Sequence, residues 1–435
     1  MEENFRSDAR IVLAADRFIQ KNTLRHEKHM KAARKPASDI REISLRSRKA
    51  QYTYLAKLAE GCTSQTAILY RDNECILPLV DLLERNGIPY QMRNAELSFF
   101  SHRTILDIIN IIKLAQNPMD TEAFLQIYYK IGTYLRKQDA IRIARISEEK
   151  RIPVLDVAAE DPDLNGHVLG SVRSMRTHLQ NLLQDSGERA IYRIMQFMGY
   201  QEYLNRSGLS DSKLEILRIL GSRADSPMEL VERLEQLKVL IREKEPDRKC
   251  PLILSTIHAS KGLEYDSVYL IDVADGILPE SIPQNLHQAS AEELKAYEEE
   301  RRLFYVGVTR AKDHLTLFTT NRPSTFCSEF LGKSSVTEEG RKNLMPVESR
   351  TSRTFKQARP YAAVAGIRQT KASEELYFRL KEELGTGVIV EHKKYGEGVV
   401  TQLDDRLVHI MFQDDTLRMM DLKILANAGL LKVKK

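Results

Sequence analysis

The chain has 435 residues, 42% of them hydrophobic and 29% charged, with 66 Lys and Arg against 61 Asp and Glu for a net charge of +5. That length suffices for two to four domains with cores of their own, and so mild a charge excludes nucleic-acid binding through the overall field, leaving only local clusters. Cys62, Cys75, Cys250 and Cys327 lie far apart without a C-x-x-C pair, which argues against a zinc site or a disulfide framework. Neither a secretory leader in "MEENFRSDARIVLAADRF" nor an apolar stretch of the ~18 residues a membrane span needs is present, so the expectation is a cytoplasmic protein without membrane contact.

In chain order, residues 8–22 place Ile11, Ala14, Ala15, Phe18 and Ile19 at helical spacing. The run "KNTLRHEKHMKAARK", 21–35, carries six Lys or Arg against one Glu and reads as a solvent-facing segment able to meet phosphate. Its His26 and His29 read as a solvated helix face, since no second pair of ligands accompanies them. "TAILY", 66–70, reads as a buried strand, "ECILPLVDLLERNG", 74–87, as a helix closed by Gly87, and "IPYQM", 88–92, as a second strand. Strand, helix and strand at this spacing form the unit of a parallel α/β sheet.

From about 101 to 245 one helical pattern follows another, including "TILDIINIIKLA", "TEAFLQIYYKI", "ERAIYRIMQFMGY" and "PMELVERLEQLKVLIREKE". Strand signals return at "PLILSTI", 251–257, "SVYLIDV", 267–273, and "HLTLFTT", 314–320, with a helix over about 290–311. The economical arrangement is one α/β domain interrupted by an all-helical insertion. Residues 333–384 are polar and read as a linker ending in a short helix at "ASEELYFRLKEEL". Beyond them, short β-rich runs alternate with Gly or Asp-Asp turns, the rhythm of a small five-stranded barrel.

A phosphate-binding P-loop needs G-x-x-x-x-G-K-[ST], so that backbone N–H groups and the lysine surround the phosphates. "IHASKGLE" puts Lys261 before Gly262 with no hydroxyl after them, and fails. "CSEFLGKS", 327–334, has Cys327 in place of the first glycine and lies in a helical pattern. "YLIDVADG", with Asp272 and Asp275, comes nearest to a magnesium-binding strand end but has no P-loop to serve.

Four stretches nevertheless resemble one family in its own order. "EENFRSDARIVLAADRFIQKN", 2–22, "AILYRDNECILPLVDLLERNGIPYQM", 67–92, "TIHASKGLEYDSVYLI", 256–271, and "EEERRLFYVGVTRAKDHLTL", 298–317, resemble motif IV, the segment after it, motif V and motif VI of the UvrD/Rep/PcrA class of superfamily 1 DNA helicases. The resemblance implies the second RecA-like domain of such an enzyme: 1–118 and 250–332 as its two parts, 119–249 as an inserted helical subdomain, 333–384 as a linker and 385–435 as a Tudor/SH3-like β-barrel. ATP with Mg2+ would then be held mainly by a first RecA-like domain carrying the P-loop.

By the same resemblance, Arg6 and Arg310 match the two arginines that reach the γ-phosphate, and a guanidinium fork suits the charge that phosphoryl transfer builds on equatorial oxygens. Glu264 matches the glutamate that accepts from the ribose hydroxyl, and Gly262 offers a close backbone approach to nucleotide. Thr256, His258 and Lys261 match residues on or coupled to the single-stranded DNA path. Tyr70 and Arg71 occupy the "LYR" positions, with a DNA-side or interdomain role. In "YYKIGTYLRKQDAIRI" Gly132 stands alone where relatives carry a Gly-Ile-Gly turn that meets duplex. The tail "HKKYGEGVV", with Gly396 and Gly398 as hairpin glycines, resembles a module implicated in docking RNA polymerase.

Two functions follow as expectations. One is the C-terminal half of a 3′-to-5′ DNA helicase, inactive without its P-loop half, with single-stranded and junction DNA as partners. The other is a non-catalytic adaptor for DNA or RNA polymerase.

Overall fold

The computed structural model describes residues 3–23, 29–93, 98–245, 247, 249–283, 285–286, 288–321, 324–333, 380, 384, 388–393, 395–403, 407–412, 417–427 and 430–433. Two compact units divide the chain, 1–342 and 343–435.

The first unit is built on a six-stranded sheet. Its strands are β3 (Arg41–Leu45), β4 (Thr66–Tyr70), β5 (Gln91–Met92), β6 (Leu252–Thr256), β7 (Tyr265–Leu270) and β8 (Ala311–Thr320), in the spatial order β3-β8-β7-β4-β6-β5. Every described pairing in it is parallel. A separate parallel pair, β1 (Glu3–Asn4) and β2 (Lys31–Ala32), lies near the N-terminus. All five residues of β4 are buried, as befits a central parallel strand covered on both faces. It pairs with β6 in the register Thr66↔Leu252 to Tyr70↔Thr256, and with β7 from Thr66↔Ser267. A strand from before the long run of helices is thus flanked by two from after it.

Strand alternation sends Ala67 and Leu69 to one face and Ile68 and Tyr70 to the other. Ala67 and Leu69 meet the helices α1 (Ala9–Ile19), α14 (Ala291–Val308) and α15 (Thr325–Leu331) through Ile11, Phe18, Phe304, Val308 and Phe326. Ile68 and Tyr70 meet α2 (Arg48–Glu60) and α3 (Leu77–Arg85). Asp8 N-caps α1 by accepting from the Arg10 N–H at 2.8 Å, and Ser290 forms a capping box with Glu293 at the start of α14.

Between β5 and β6 lie α4 (Ser98–Ser101) and α5 (Arg103–Gln116), then, within the expected insertion 119–249, α6 (Thr121–Ile127), α7 (Lys137–Lys150), α8 (Val154–Ala159), α9 (Gly166–Leu182), α10 (Gly187–Phe197), α11 (Tyr200–Ser207), α12 (Ser212–Gly221) and α13 (Pro227–Glu243). Their apolar residues join those of α2 and α3 in one continuous core, from Ile68 and Leu79 to Phe124 and Leu234. Charged pairs cross the same boundary: Glu74 with Lys213, Asp81 with Arg233 at 2.6 Å, and Glu84 with Lys244 at 2.7 Å. Deeper, Arg48 reaches Glu215 on α12 at 3.4 Å.

Some expectations need correction. "ECIL" opens as a 3₁₀ turn over Asn73–Ile76 before α3, and only Gln91–Met92 of "IPYQM" is strand. His29 is not on a helix: it lies in a loop, its side chain two-thirds exposed and 3.3 Å from Asp16. His26 lies outside the described residues. So do 334–379, and with them most of the expected linker and its helix.

The second unit holds an antiparallel sheet ordered β12-β11-β10-β9-β13, with β9 (Ile389–His392), β10 (Gly396–Leu403), β11 (Leu407–Phe412), β12 (Leu417–Asp421) and β13 (Leu431–Val433). Val390, Val400, Val408, Ile410 and Leu431 form its core with Leu422 and Leu425 of a short helix. Gly396, at φ +76°, occupies the left-handed turn of the β9–β10 hairpin, while Gly398 lies within β10 opposite Val390.

Candidate nucleotide-facing site

Three separate chain segments meet at the N-terminal ends of β7 and β8. The β-pairing carries the Tyr265 N–H to the carbonyl of Arg310 at 2.9 Å, so the residues just before the two strands, Glu264 and Arg310, sit side by side. The N-terminal segment is stitched to the same edge: Ser7 Oγ donates to the Ala311 carbonyl and the Asp8 N–H to that of Lys312, both at 2.7 Å. Asn4 Oδ1 accepts from the N–H groups of Arg6 and Ser7 at 2.9 and 3.0 Å, a tight turn that projects Arg6 toward Glu264.

The charges there are unevenly matched. Arg6 Nε donates to Glu264 Oε2 at 2.5 Å, and Lys312 Nζ lies 3.6 Å from Glu264 Oε1. The hydrogen bond from Arg6, reinforced by Lys312, holds the Glu264 carboxyl below the usual range. Arg310 has no such partner. Its Nε and Nη1 donate to the carbonyls of Val306 (3.0 Å) and Leu263 (2.9 Å), its Nη2 to Thr309 Oγ1 (3.2 Å), and no carboxylate pairs with it among the described residues. Burial and the nearby charge of Arg6 depress its pKa. The result is a half-buried cation, oriented by neutral acceptors, beside a second cation.

Residues 257–264 run from the C-terminal end of β6 to the N-terminal end of β7, and so connect opposite ends of the sheet. Thr256 Oγ1 accepts from the Ala259 N–H at 3.1 Å, which starts the turn, and Ser260 Oγ closes onto the Ile257 carbonyl at 2.6 Å. His258 and Lys261 are exposed on this turn. Gly262 has φ +87° with open space where a Cβ would stand, a backbone conformation glycine alone takes easily. Ile257 packs on Gly307 of α14, so closely that a Cβ there would lie 3.3 Å from Leu270 and 3.5 Å from Ile257.

The structure therefore separates the sequence-derived residues into two groups. Arg6, Gly262, Glu264 and Arg310 gather at the N-terminal ends of the strands. Tyr70, Arg71, Thr256 and His258 lie at the other end, where Tyr70 pairs with Thr256 across β4 and β6. Tyr70 is completely buried, its hydroxyl without a hydrogen-bond partner among the described residues, so it presents no surface to a ligand. Arg71 is engaged by three carboxylates: Asp72 at 2.7 Å, Glu300 at 2.8 Å and Glu280 at 2.9 Å. The second phosphate-loop candidate is also explained. Gly332 is the left-handed C-cap of α15, and Arg17, whose guanidinium donates to the Phe330 carbonyl at 2.7 Å, covers it.

Sequence reasoning overlooked two members of the site. Lys312, two residues beyond Arg310, shares Glu264, and strand alternation could have indicated it. Arg34, concealed in the basic run, bonds to the backbone of Arg6 and Lys312, and no local pattern announces it.

The chain is 28% identical over 361 residues to the ATP-dependent DNA helicase Rep of Escherichia coli, covering 76% of this chain and 51% of that protein. It is 24% identical over 441 residues to the ATP-dependent DNA helicase PcrA of Staphylococcus epidermidis, covering 93% and 58%. DNA helicase II of Haemophilus influenzae matches at 24% over 432 residues, covering 93% and 57%. The chain spans about half the length of the curated relatives it matches. The described UvrD-like helicase C-terminal domain matches residues 1–322, a span that takes in the sheet, its helical insertion and all three segments of the arginine site, and the chain belongs to that family.

Proposed function

We propose that the chain is the second RecA-like portion of an ATP-dependent 3′-to-5′ DNA helicase, receiving a nucleotide held by a RecA-like domain that bears a P-loop and the Mg2+ ligands. Arg310 carries this reading: an oriented, half-buried guanidinium with neutral acceptors only among the described residues, beside Arg6. ATP supplies a transferable phosphoryl group whose equatorial oxygens gain charge, and arginines placed at such oxygens are worth about 10³–10⁵ in rate generally. Arg6 and Arg310 hold the γ-phosphate, Glu264 accepts from the ribose hydroxyl, and Gly262 allows close approach of the backbone.

At the opposite strand ends, Thr256 and His258 face single-stranded or junction DNA. Lys261, Tyr70 and Arg71 couple that path to the nucleotide, Tyr70 from within the core. The 257–264 connection, which runs between the two strand ends, supports such coupling. The continuity of β4 with β6 and β7 supports reading 1–118 and 250–332 as one RecA-like domain, 119–249 as its insertion and 333–384 as a linker. The five-stranded antiparallel sheet supports a Tudor-like barrel over 385–435 that docks RNA polymerase. We place the protein in the cytoplasm, in DNA repair.

The test is reconstitution. The purified chain is assayed for DNA-stimulated ATP hydrolysis alone, and mixed with the P-loop half of a UvrD/Rep/PcrA-type relative. Hydrolysis is expected only in the mixture, falling at least about 100-fold with Arg310→Ala. Robust hydrolysis by the chain alone, or a mixture indifferent to Arg310→Ala, would overturn the reading.

A further inference from the structure

The basic run 21–35 looked like a solvent-facing phosphate contact, yet Arg34 within it is committed to the protein itself. Its Nη1 donates to the carbonyl of Arg6 at 2.6 Å and to that of Lys312 at 3.2 Å, while Nη2 donates to Asp313 Oδ1 at 2.5 Å. One guanidinium thus joins the backbone from which Arg6 projects to the strand that begins just after Arg310.

The geometry points to Arg34 as the positioning residue of a polyphosphate-receiving arginine pair. This rests on the reading of Arg6 and Arg310 given above, and extends it to a residue that touches neither ligand nor reacting atoms. Arg6 stands between the two-residue strand β1 and α1, on backbone that Ser7 and Asp8 also tie to β8. Side-chain hydrogen bonds that involve a charged group are the strong ones, and a planar fork fixes direction as well as distance. Arg34 supplies such a fork where Arg6 and β8 meet.

Its contribution is separable from folding of the segment. β1 pairs with β2 through Glu3↔Lys31 and Asn4↔Ala32, and the Ala33 N–H donates to the Asn4 carbonyl at 2.9 Å. Asp8 Oδ2 accepts from the N–H groups of Ala37 and Ser38 at 2.5 and 3.1 Å. Those bonds remain when the Arg34 side chain is removed.

The experiment titrates inorganic tripolyphosphate against the full 435-residue chain, following ³¹P line broadening. Arg34→Ala is expected to weaken binding about tenfold and Arg34→Lys, which keeps the charge without the fork, about threefold, in the absence of urea, where both variants remain folded. In an Arg6→Ala background, Arg34→Ala should add less than about twofold, because its effect passes through Arg6. A full-sized effect in that background overturns the positioning role. So does an Arg34→Ala chain that binds like wild type while Arg6→Ala and Arg310→Ala bind weakly. Indifference of binding to both Arg6→Ala and Arg310→Ala, or no binding by wild type, overturns the underlying site reading instead. Should Arg34→Ala not fold, Asp313→Asn weakens the anchor and spares both carbonyl bonds, with about threefold weaker binding expected and unchanged binding counting against the role.

Discussion

Arg48 and Asp272 form a two-bond fork inside the protein, Nε to Oδ1 at 3.0 Å and Nη2 to Oδ2 at 2.6 Å, with Asp272 fully buried. Gln51 donates to Oδ1 at 2.8 Å and accepts from the Asp272 N–H at 3.1 Å, and the Tyr52 hydroxyl donates to Oδ2 at 3.3 Å. Removing Arg48 leaves the buried Asp272 carboxylate with neutral donors alone, and removing Asp272 leaves Arg48 with Glu215 at 3.4 Å as its carboxylate partner among the described residues. Arg48→Ala or Asp272→Asn should each cost about 3–5 kcal/mol, and the double change to Met and Leu less than the sum of the single ones. Urea unfolding of the three variants measures this.

Glu264 competes with any incoming anion for Arg6. Glu264→Gln should therefore raise tripolyphosphate affinity about threefold at neutral pH, the range of an exposed ion pair. The sign with pH follows from the depressed carboxyl. Its pairing with Arg6 is present above the pKa of the unfolded state and is lost as pH falls through the lower folded one. Between pH 6 and 8 Glu264 should thus impose no pH dependence on binding, and a slope there that disappears in Glu264→Gln would contradict the pairing.

Gly187 and Gly221 let α10 and α12 touch backbone to backbone. A Cβ on Gly187 would stand 2.8 Å from the Gly221 carbonyl oxygen, and one on Gly221 would stand 3.0 Å from the Gly187 carbonyl carbon. The neighbouring atoms are main chain and cannot rotate away. Alanine at either position should destabilise the protein by about 1–3 kcal/mol despite its better helix propensity. The urea midpoint reads this directly.

Thiol labelling should distinguish one cysteine from three. Burial pushes the Cys75 and Cys327 thiols up to about 12 and raises that of Cys250, whereas Cys62 is half-exposed. A neutral-pH thiol reagent should modify about one group per native chain and four after denaturation. Cys62→Ser should abolish the native reaction.

Strands with continuous apolar runs were legible in the sequence: "TAILY" coincides with β4, and "PLILSTI" contains β6. β3 was missed because "REISL" mixes charge with apolar residues on a partly exposed strand. α2 escapes a sequence reading because its buried face includes Arg48 and Gln51, polar residues whose shared partner Asp272 lies more than 200 positions away. The family motifs single out Arg6, Glu264 and Arg310 as candidates but do not show how they lie apart from Tyr70 and Arg71 in the sheet. Which end of a parallel sheet a residue occupies depends on strand order, and that is a property of long-range pairing. The burial of Tyr70 was hidden for the same reason, since an aromatic before an arginine resembles a surface pair until the sheet is closed around it.

The placement of β4 between β6 and β7 bears on how the protein is made. The central strand of the sheet leaves the ribosome long before either neighbour, and β3 waits longer still for β8. Until then its backbone edges are open to any passing strand, a state prone to mispairing. Chains arrested within the helical insertion therefore hold a β4 whose two partner strands are still to be made.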